Sequence, residues 1–304
     1  MFYLCIRLIT KHMDEITKIE TVDQYDQLFG LETLHPLVNV IDFSKATKSV
    51  EYIRMNIGFY CLFLKDAKCG DLKYGRKNYD YQEGTVVCMA PGQVSGIDNR
   101  NRTAPRTKSS GVLFHPDLIR GTSLGQNIKN YTFFSYEVNE ALHLSDQERE
   151  IVTDCIHKIR LELEHTIDKH SKQLIVRNIE LLLDYCMRFY ERQFITRNQA
   201  NKDIVVKFEQ LLDEYFQNQV AMTEGLPSVK YFADKACLSP NYFGDLIKKE
   251  TGKTAQEYIQ CRIIELAKER ILEGVQTVSQ VAYELGFQYP QHFSRLFKKH
   301  VGCT

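Results

Sequence analysis

The sequence predicts an α+β protein: a strand-rich antiparallel half of sandwich or barrel type, two helices after it, and an all-α C-terminal half. Three observations carry this expectation. Short apolar runs alternate with turn residues from about Pro36 to Phe114. Helical periodicity replaces them from Ser145 onward. Near the C-terminus, the segment Pro240–Gly252 recurs fifty positions later as Pro290–Gly302.

The chain has 304 residues, enough for roughly two domains of about 100–200 residues. An apolar fraction of 43% with 26% charged residues is that of an ordinary globular protein. The 39 basic and 39 acidic residues cancel, so any argument for nucleic acid must rest on local placement of charge. The nine cysteines form no C-x-x-C pair, which suits a reducing cytosol better than a disulfide framework or a zinc site. The apolar start Phe2–Thr10 is too short to span a bilayer, which takes about 20 apolar residues, and lacks a signal-peptide cleavage site. Met13, where a polar, helix-like pattern begins, is the expected translation start, with Met1 the alternative. A cytoplasmic protein is expected, with no membrane partner.

In the first half, the runs Leu37–Phe43, Asn56–Leu64, Asp71–Tyr74, Gly84–Ala90 and Gly111–Phe114 are the expected strands. Asn99–Ser110, with Arg100, Arg102, Arg106 and Lys108, is an expected basic loop. Ser145-Asp-Gln-Glu148 is a capping box opening a helix whose apolar positions are Ile151, Val152, Cys155, Ile156, Ile159 and Leu163. A second helix over Ser171–Arg192 carries more apolar residues than one buried face requires. Core packing and a homodimer seam both account for the surplus. The polar stretch Thr196–Asp203 is the expected linker.

The repeat is the most specific feature. Pro240 and Pro290, Phe243 and Phe293, Leu246 and Leu296, the lysine pairs 248–249 and 298–299, and Gly252 and Gly302 coincide, six identities in thirteen positions. Each copy has the physics of a helix-turn-helix. In the second, Thr277-Val-Ser-Gln280 is a capping box, Ala282 and Gly286 are small residues one turn apart where the chain turns sharply, and Pro290 suits a first helical turn. Phe293, Leu296 and Phe297 share one face. The other holds Gln291, His292, Ser294, Arg295, Lys298 and Lys299, donors and cations of the kind that contact base edges and phosphates. No acidic residue follows Glu284.

In the first copy Ala233 and Cys237 take the small-residue positions, Ser239 the N-cap and Pro240 the first turn. Its expected outward face is Asn241, Tyr242, Gly244, Asp245, Lys248 and Lys249. Between the copies, Thr254-Ala-Gln-Glu257 caps a helix reaching about Leu272, with Tyr258, Ile259, Ile263, Leu266, Ala267 and Ile271 on its apolar side. About 20 helical residues span about 30 Å, near the ~34 Å between successive major-groove turns on one face of DNA.

On these residues, Leu226–Thr304 resembles the C-terminal DNA-binding domain of the AraC-type (AraC/XylS) transcription regulators. The specific part is Val278–Gly302, with its alanine before Gly286-Phe287 and then Phe293-Ser-Arg-Leu-Phe-Lys-Lys299. The resemblance implies that Gln291, His292, Ser294, Arg295 and Lys298 face double-stranded DNA, with Asn241, Gly244, Asp245 and Lys248 in the same roles in the first copy. Asp245 departs from the arginine common at its position, so the second copy is expected to supply more affinity. The family also continues past Gly302-Cys-Thr304, so a C-terminally truncated chain is expected.

The family often carries an N-terminal cupin-like β-barrel with two following helices, which binds an effector and dimerises. Tyr81–Gln93 resembles a hairpin of such a barrel, and His115-Pro116 with Asp117–Gly121 resembles its exit. The resemblance thus implies an N-terminal segment at 1–35, a cupin-like effector-binding and dimerisation domain at 36–195, a linker and helix at 196–225, and the DNA-binding domain at 226–304. Homodimerisation, a small-molecule effector and RNA polymerase are the further partners it implies.

Two rival classes share parts of this pattern. A metal-dependent cupin enzyme needs clustered histidines, whereas the strand region has only His35 and His115 and no H-x-H. No P-loop, G-x-S-x-G or kinase signature occurs. No catalytic residue, metal or cofactor is therefore expected. A cysteine redox sensor is less favoured than buried, inert thiols. A structural or repair DNA-binding protein would share the helix-turn-helix pair, but the separate strand-rich half favours signal-dependent regulation.

Overall fold

The computed structural model describes residues 16–302 apart from 66–68, 75–76, 82–83, 99–108, 138–139 and 197. The segment before Ile16, most of the basic stretch 99–110 and the last two residues therefore lie outside the described residues. The chain divides into two compact units, Met1–Gln193 and Phe194–Thr304.

The first unit opens with β1 (Ile16–Ile19) and α1 (Val22–Phe29). Thr21 and Gln24 form a capping box on α1, and Gly30 ends it in the left-handed region at φ 63°. Eight strands follow: β2 (Val38–Asp42), β3 (Tyr52–Ile57), β4 (Tyr60–Lys65), β5 (Cys69–Tyr74), β6 (Lys77–Tyr81), β7 (Thr85–Met89), β8 (Val94–Asp98) and β9 (Ser109–Phe114). Two short helices, α2 (Pro116–Ile119) and α3 (Ser123–Asn127), lead to the two-residue β10 (Leu142–His143).

The strands form two five-stranded sheets, ordered β1-β3-β8-β5-β6 and β10-β7-β4-β9-β2. The expected closed antiparallel barrel is corrected on two points. No ladder among the described residues joins the sheets, and β1 runs parallel to β3. Closure would need a hydrogen-bonded partner for the outer strands, and the order leaves β1, β6, β10 and β2 as edges. The expected single run Asn56–Leu64 is two strands in different sheets. The chain turns between them at Gly58-Phe59, where the Gly58 N–H donates to the Ile19 carbonyl at 2.8 Å. Tyr25 and Phe29 of α1 join Ile41, Met55, Ile57, Phe59, Cys61, Phe63, Met89 and Leu113 in one buried cluster fed by both sheets.

Helix α4 (Asp146–Glu164) begins at the expected capping box, with both the Ser145 and Glu148 bonds formed. It lies against β2, where the Arg160 guanidinium donates to the Val40 carbonyl at 3.1 Å. Val152, Cys155, Ile156, Ile159 and Leu163 are buried as their spacing predicts, while Ile151 is half-buried. Helix α5 (Ser171–Thr196) follows. Ile175, Ile179, Leu182, Leu183, Cys186 and Tyr190 are buried, whereas Leu174 and Leu181 of the apolar surplus are exposed.

The second unit is all helix: α6 (Asn198–Gln217), α7 (Val220–Glu224), α8 (Val229–Ala236), α9 (Pro240–Thr251), α10 (Ala255–Leu272), α11 (Val278–Glu284) and α12 (Pro290–Val301). The stretch Thr196–Asp203, expected as a linker, lies in the end of α5 and the start of α6 wherever it is described. No helix among the described residues is long and apolar enough to cross a membrane.

Candidate nucleic-acid interface

Helix α6 is the scaffold on which the first helix-turn-helix is built. Phe208 sits 5.0 Å from Phe232 of α8, 5.2 Å from Phe243 of α9 and 5.4 Å from Tyr258 of α10, ring centre to ring centre. Polar contacts on the same helix pin α10: Asp213 accepts from Arg262 at 2.8 Å, and Glu209 accepts from the Tyr258 hydroxyl. The DNA-binding domain expected at 226–304 thus gains α6, which lies in the stretch 196–225 expected as linker and helix. The signal was present in Phe208, Leu212 and Tyr215, which follow helical spacing and are all buried.

Helix α8 ends at Cys237, a non-glycine residue in the left-handed region at φ 58°, and the Leu238 N–H returns to the Ala233 carbonyl at 3.0 Å. Ser239 then caps α9. The second copy repeats this with one residue more between the left-handed residue and the proline. The Thr277–Gln280 capping box opens α11, Gly286 takes φ 91°, and the Phe287 N–H returns to the Ala282 carbonyl at 3.0 Å before Pro290 starts α12. Gly252 and Gly302, the last identity of the repeat, both end their helices in the left-handed region, at φ 73° and 85°. The joining helix α10 begins at the Thr254–Glu257 capping box and reaches Leu272 as expected. Its 18 residues span about 27 Å.

On α12, Gln291, His292, Arg295, Lys298 and Lys299 are exposed and Ser294 is half-buried. On α9, Asn241, Lys248 and Lys249 are exposed, and Gly244 and Asp245 are half-buried. Tyr242 is different. It is 3% exposed, with its ring 4.9 Å from Phe194, so it belongs to the core and not to the outward face. The apolar stripe of α9 is wider than one row, taking in Tyr242, Phe243, Leu246 and Ile247. In α12 only Phe293 is fully buried, between Phe287 and Phe297, while Leu296 and Phe297 are half-buried.

The two copies share one electrostatic neighbour. The Glu257 carboxyl, in the first turn of α10, lies below the usual carboxylate range because the Thr254 backbone N–H and hydroxyl donate to it. Lys248 of the first copy and Lys299 of the second add to that stabilisation.

The two histidines of the strand region, His35 and His115, have roles in turns. His35 Nδ1 accepts the Leu37 N–H at 3.1 Å, and His115 Nδ1 accepts the Asp117 N–H at 3.2 Å as the cap of α2. Burial pushes the thiols of Cys61, Cys88 and Cys186 well up, which makes them poor nucleophiles.

This pair of units joined by one helix defines a double helix-turn-helix domain. Residues 232–304 match the family described as a helix-turn-helix domain. The chain is 23% identical over 225 residues to the probable transcriptional regulator LumQ of Photobacterium leiognathi, covering 73% of this chain and 81% of that one. It is 36% identical over 80 residues to the uncharacterized transcriptional regulatory protein YesN of Bacillus subtilis, 25% of this chain and 22% of that one. To the transcriptional activator RhaS of Citrobacter koseri it is 27% identical over 127 residues, 41% of this chain and 42% of that one. Among solved structures, ToxT of Vibrio cholerae matches at 13% identity over 86% of this chain and 92% of that one, with a TM-score of 0.28. The chain thus carries an AraC-type helix-turn-helix domain at its C-terminal end. The relatives it matches are named as regulators, not enzymes.

Proposed function

We propose that the chain is a sequence-specific regulator, acting in the cytoplasm, that sets α9 and α12 into two successive major-groove segments of promoter DNA. The observation that carries this is the duplicated unit, whose two second helices carry donors and cations on their outward faces and are joined by one 18-residue helix. In this reading Asn241, Gly244, Asp245, Gln291, His292, Ser294 and Arg295 meet base edges, and Lys248, Lys249, Lys298 and Lys299 meet phosphates. Asp245 can accept from a base amino group such as that of cytosine but is repelled by phosphate, so α12 dominates affinity.

The first unit is the control half in this reading, a cupin-like sandwich that takes a small-molecule effector or dimerises through residues 145–192. The exposed Leu174 and Leu181 on α5 support a homodimer seam there. RNA polymerase is the partner a promoter-bound regulator of this kind acts on. The test is selection of genomic DNA fragments by the purified chain and by a K298A/K299A variant across a salt series. A two-part site selected by the wild type, with a shallower salt dependence in the variant, supports the reading. Equal binding by both proteins would sink it.

A further inference from the structure

The two repeats treat the start of their second helix in opposite ways. In the first, Ser239 is 3% exposed and its hydroxyl accepts the Tyr242 N–H at 3.2 Å, so the N-cap is made and buried. Tyr242 is buried beside it. Fifty residues on, Tyr289 and His292 occupy the same two positions. Tyr289 makes no capping bond with its side chain and is 61% exposed. Its ring stands edge-on to that of His292, 5.6 Å away. A hydroxyl at an N-cap normally stabilises a helix start, and an exposed phenol ring does not. The second repeat therefore gives up a cap and leaves an aromatic pair in water at the N-terminal end of α12. His292 belongs to the outward face, and Tyr289 extends that face by one turn position toward the helix start.

We infer that Tyr289 is a base-reading residue of the second unit, its ring seated against the 5-methyl group of a thymine, with His292 bonding the neighbouring base. This rests on the DNA-binding function proposed above. The first residues of the second helix are the ones a helix-turn-helix brings to base edges. In the major groove the one apolar group available to an exposed ring is the thymine methyl. The chemistry thus points to a site with a thymine at the outer edge of the segment read by α12.

The experiment measures affinity for the selected site, and for versions in which each thymine in turn is replaced by deoxyuridine, which removes only the methyl. The wild type is expected to lose about threefold to fivefold at one position. Y289S is expected to bind the parent site about tenfold more weakly and to be indifferent to deoxyuridine there. Y289F keeps the ring and is expected to respond as the wild type does. The thermal midpoint of Y289S should equal or exceed that of the wild type, since serine restores the cap that Ser239 makes. K298A/K299A should weaken every sequence alike and leave the deoxyuridine response unchanged. Unaltered deoxyuridine sensitivity in Y289S would overturn the assignment, and so would a lowered thermal midpoint, which would mark Tyr289 as structural. A wild type that selects no site would overturn the DNA-binding reading itself, and that outcome is visible before any variant is made.

Discussion

Gly286 meets the backbone of Gly225: a Cβ on Gly286 would lie 2.7 Å from the Gly225 carbonyl carbon and 2.8 Å from its oxygen. The turn of the second helix-turn-helix is thereby seated on the end of α7. Gly286 also has φ 91°, where a side chain is strained whatever the space. Both effects fall on one residue, so Gly286→Ala should destabilise the C-terminal unit by at least about 2 kcal/mol. Urea unfolding followed by circular dichroism checks this.

Glu148 serves two structures at once. One carboxylate closes the capping box of α4 and receives Arg192 of α5 through two bonds, at 2.7 and 3.0 Å. Arg192 also donates to the His143 carbonyl at 2.6 Å, tying both helices to β10. Glu148→Ala should cost about 2–4 kcal/mol, and Glu148→Gln, which can still cap, about half of that. Equal losses in the two variants would show that the cap contributes nothing beyond the charge pair, and an unchanged Glu148→Gln would show the reverse.

Asp26 makes the N-terminal unit sensitive to pH. Burial raises its carboxyl to about 6, against the hydrogen bonds from Thr33 and Asn39 that lower it, and Asp23 nearby adds to the rise. Among the described residues its Oδ1 has no hydrogen-bond partner. The folded state therefore holds this proton more tightly than the unfolded chain does. The resulting stability is complete below about pH 4 and is lost as pH rises through about 6. Asp26→Asn should raise the thermal midpoint relative to wild type at pH 7.5 and lose that advantage at pH 4.5. A constant difference between the two proteins would show that the carboxyl titrates normally.

Tyr242 and its neighbour Asn241 separate packing from recognition. Tyr242→Ala should destabilise by about 3 kcal/mol, as truncation of a buried aromatic does. Asn241→Ala, at an exposed position, should leave stability within about 0.5 kcal/mol and weaken binding to the selected DNA. Thermal midpoints and titrations of both variants decide this.

Local signals were legible and long-range ones were not. The capping boxes at Ser145, Thr254 and Thr277 and the glycine stops at 252 and 302 depend on a few neighbouring residues, and each forms as spelled. Sheet closure depends on which distant edges meet. The apolar run Asn56–Leu64 carries no record that the chain changes sheets at Gly58. Tyr242 was misplaced because an aromatic hydroxyl suits either a wet face or a core, and Phe194, which decides between them, is 48 positions away. Tyr289 was passed over for a related reason. Its meaning lies in the contrast with a buried Ser239, and burial is not written in the residue type.

The central claim is tested most directly by titrating the purified chain, and its Lys298→Ala/Lys299→Ala variant, against a selected genomic site and random DNA over a range of salt. The account predicts tight, salt-sensitive binding to a two-part site whose halves lie about one helical turn apart. The variant should lose affinity for both DNAs, with its salt slope reduced by about 2. A chain that binds selected and random DNA equally, or a variant indistinguishable from wild type, would contradict it.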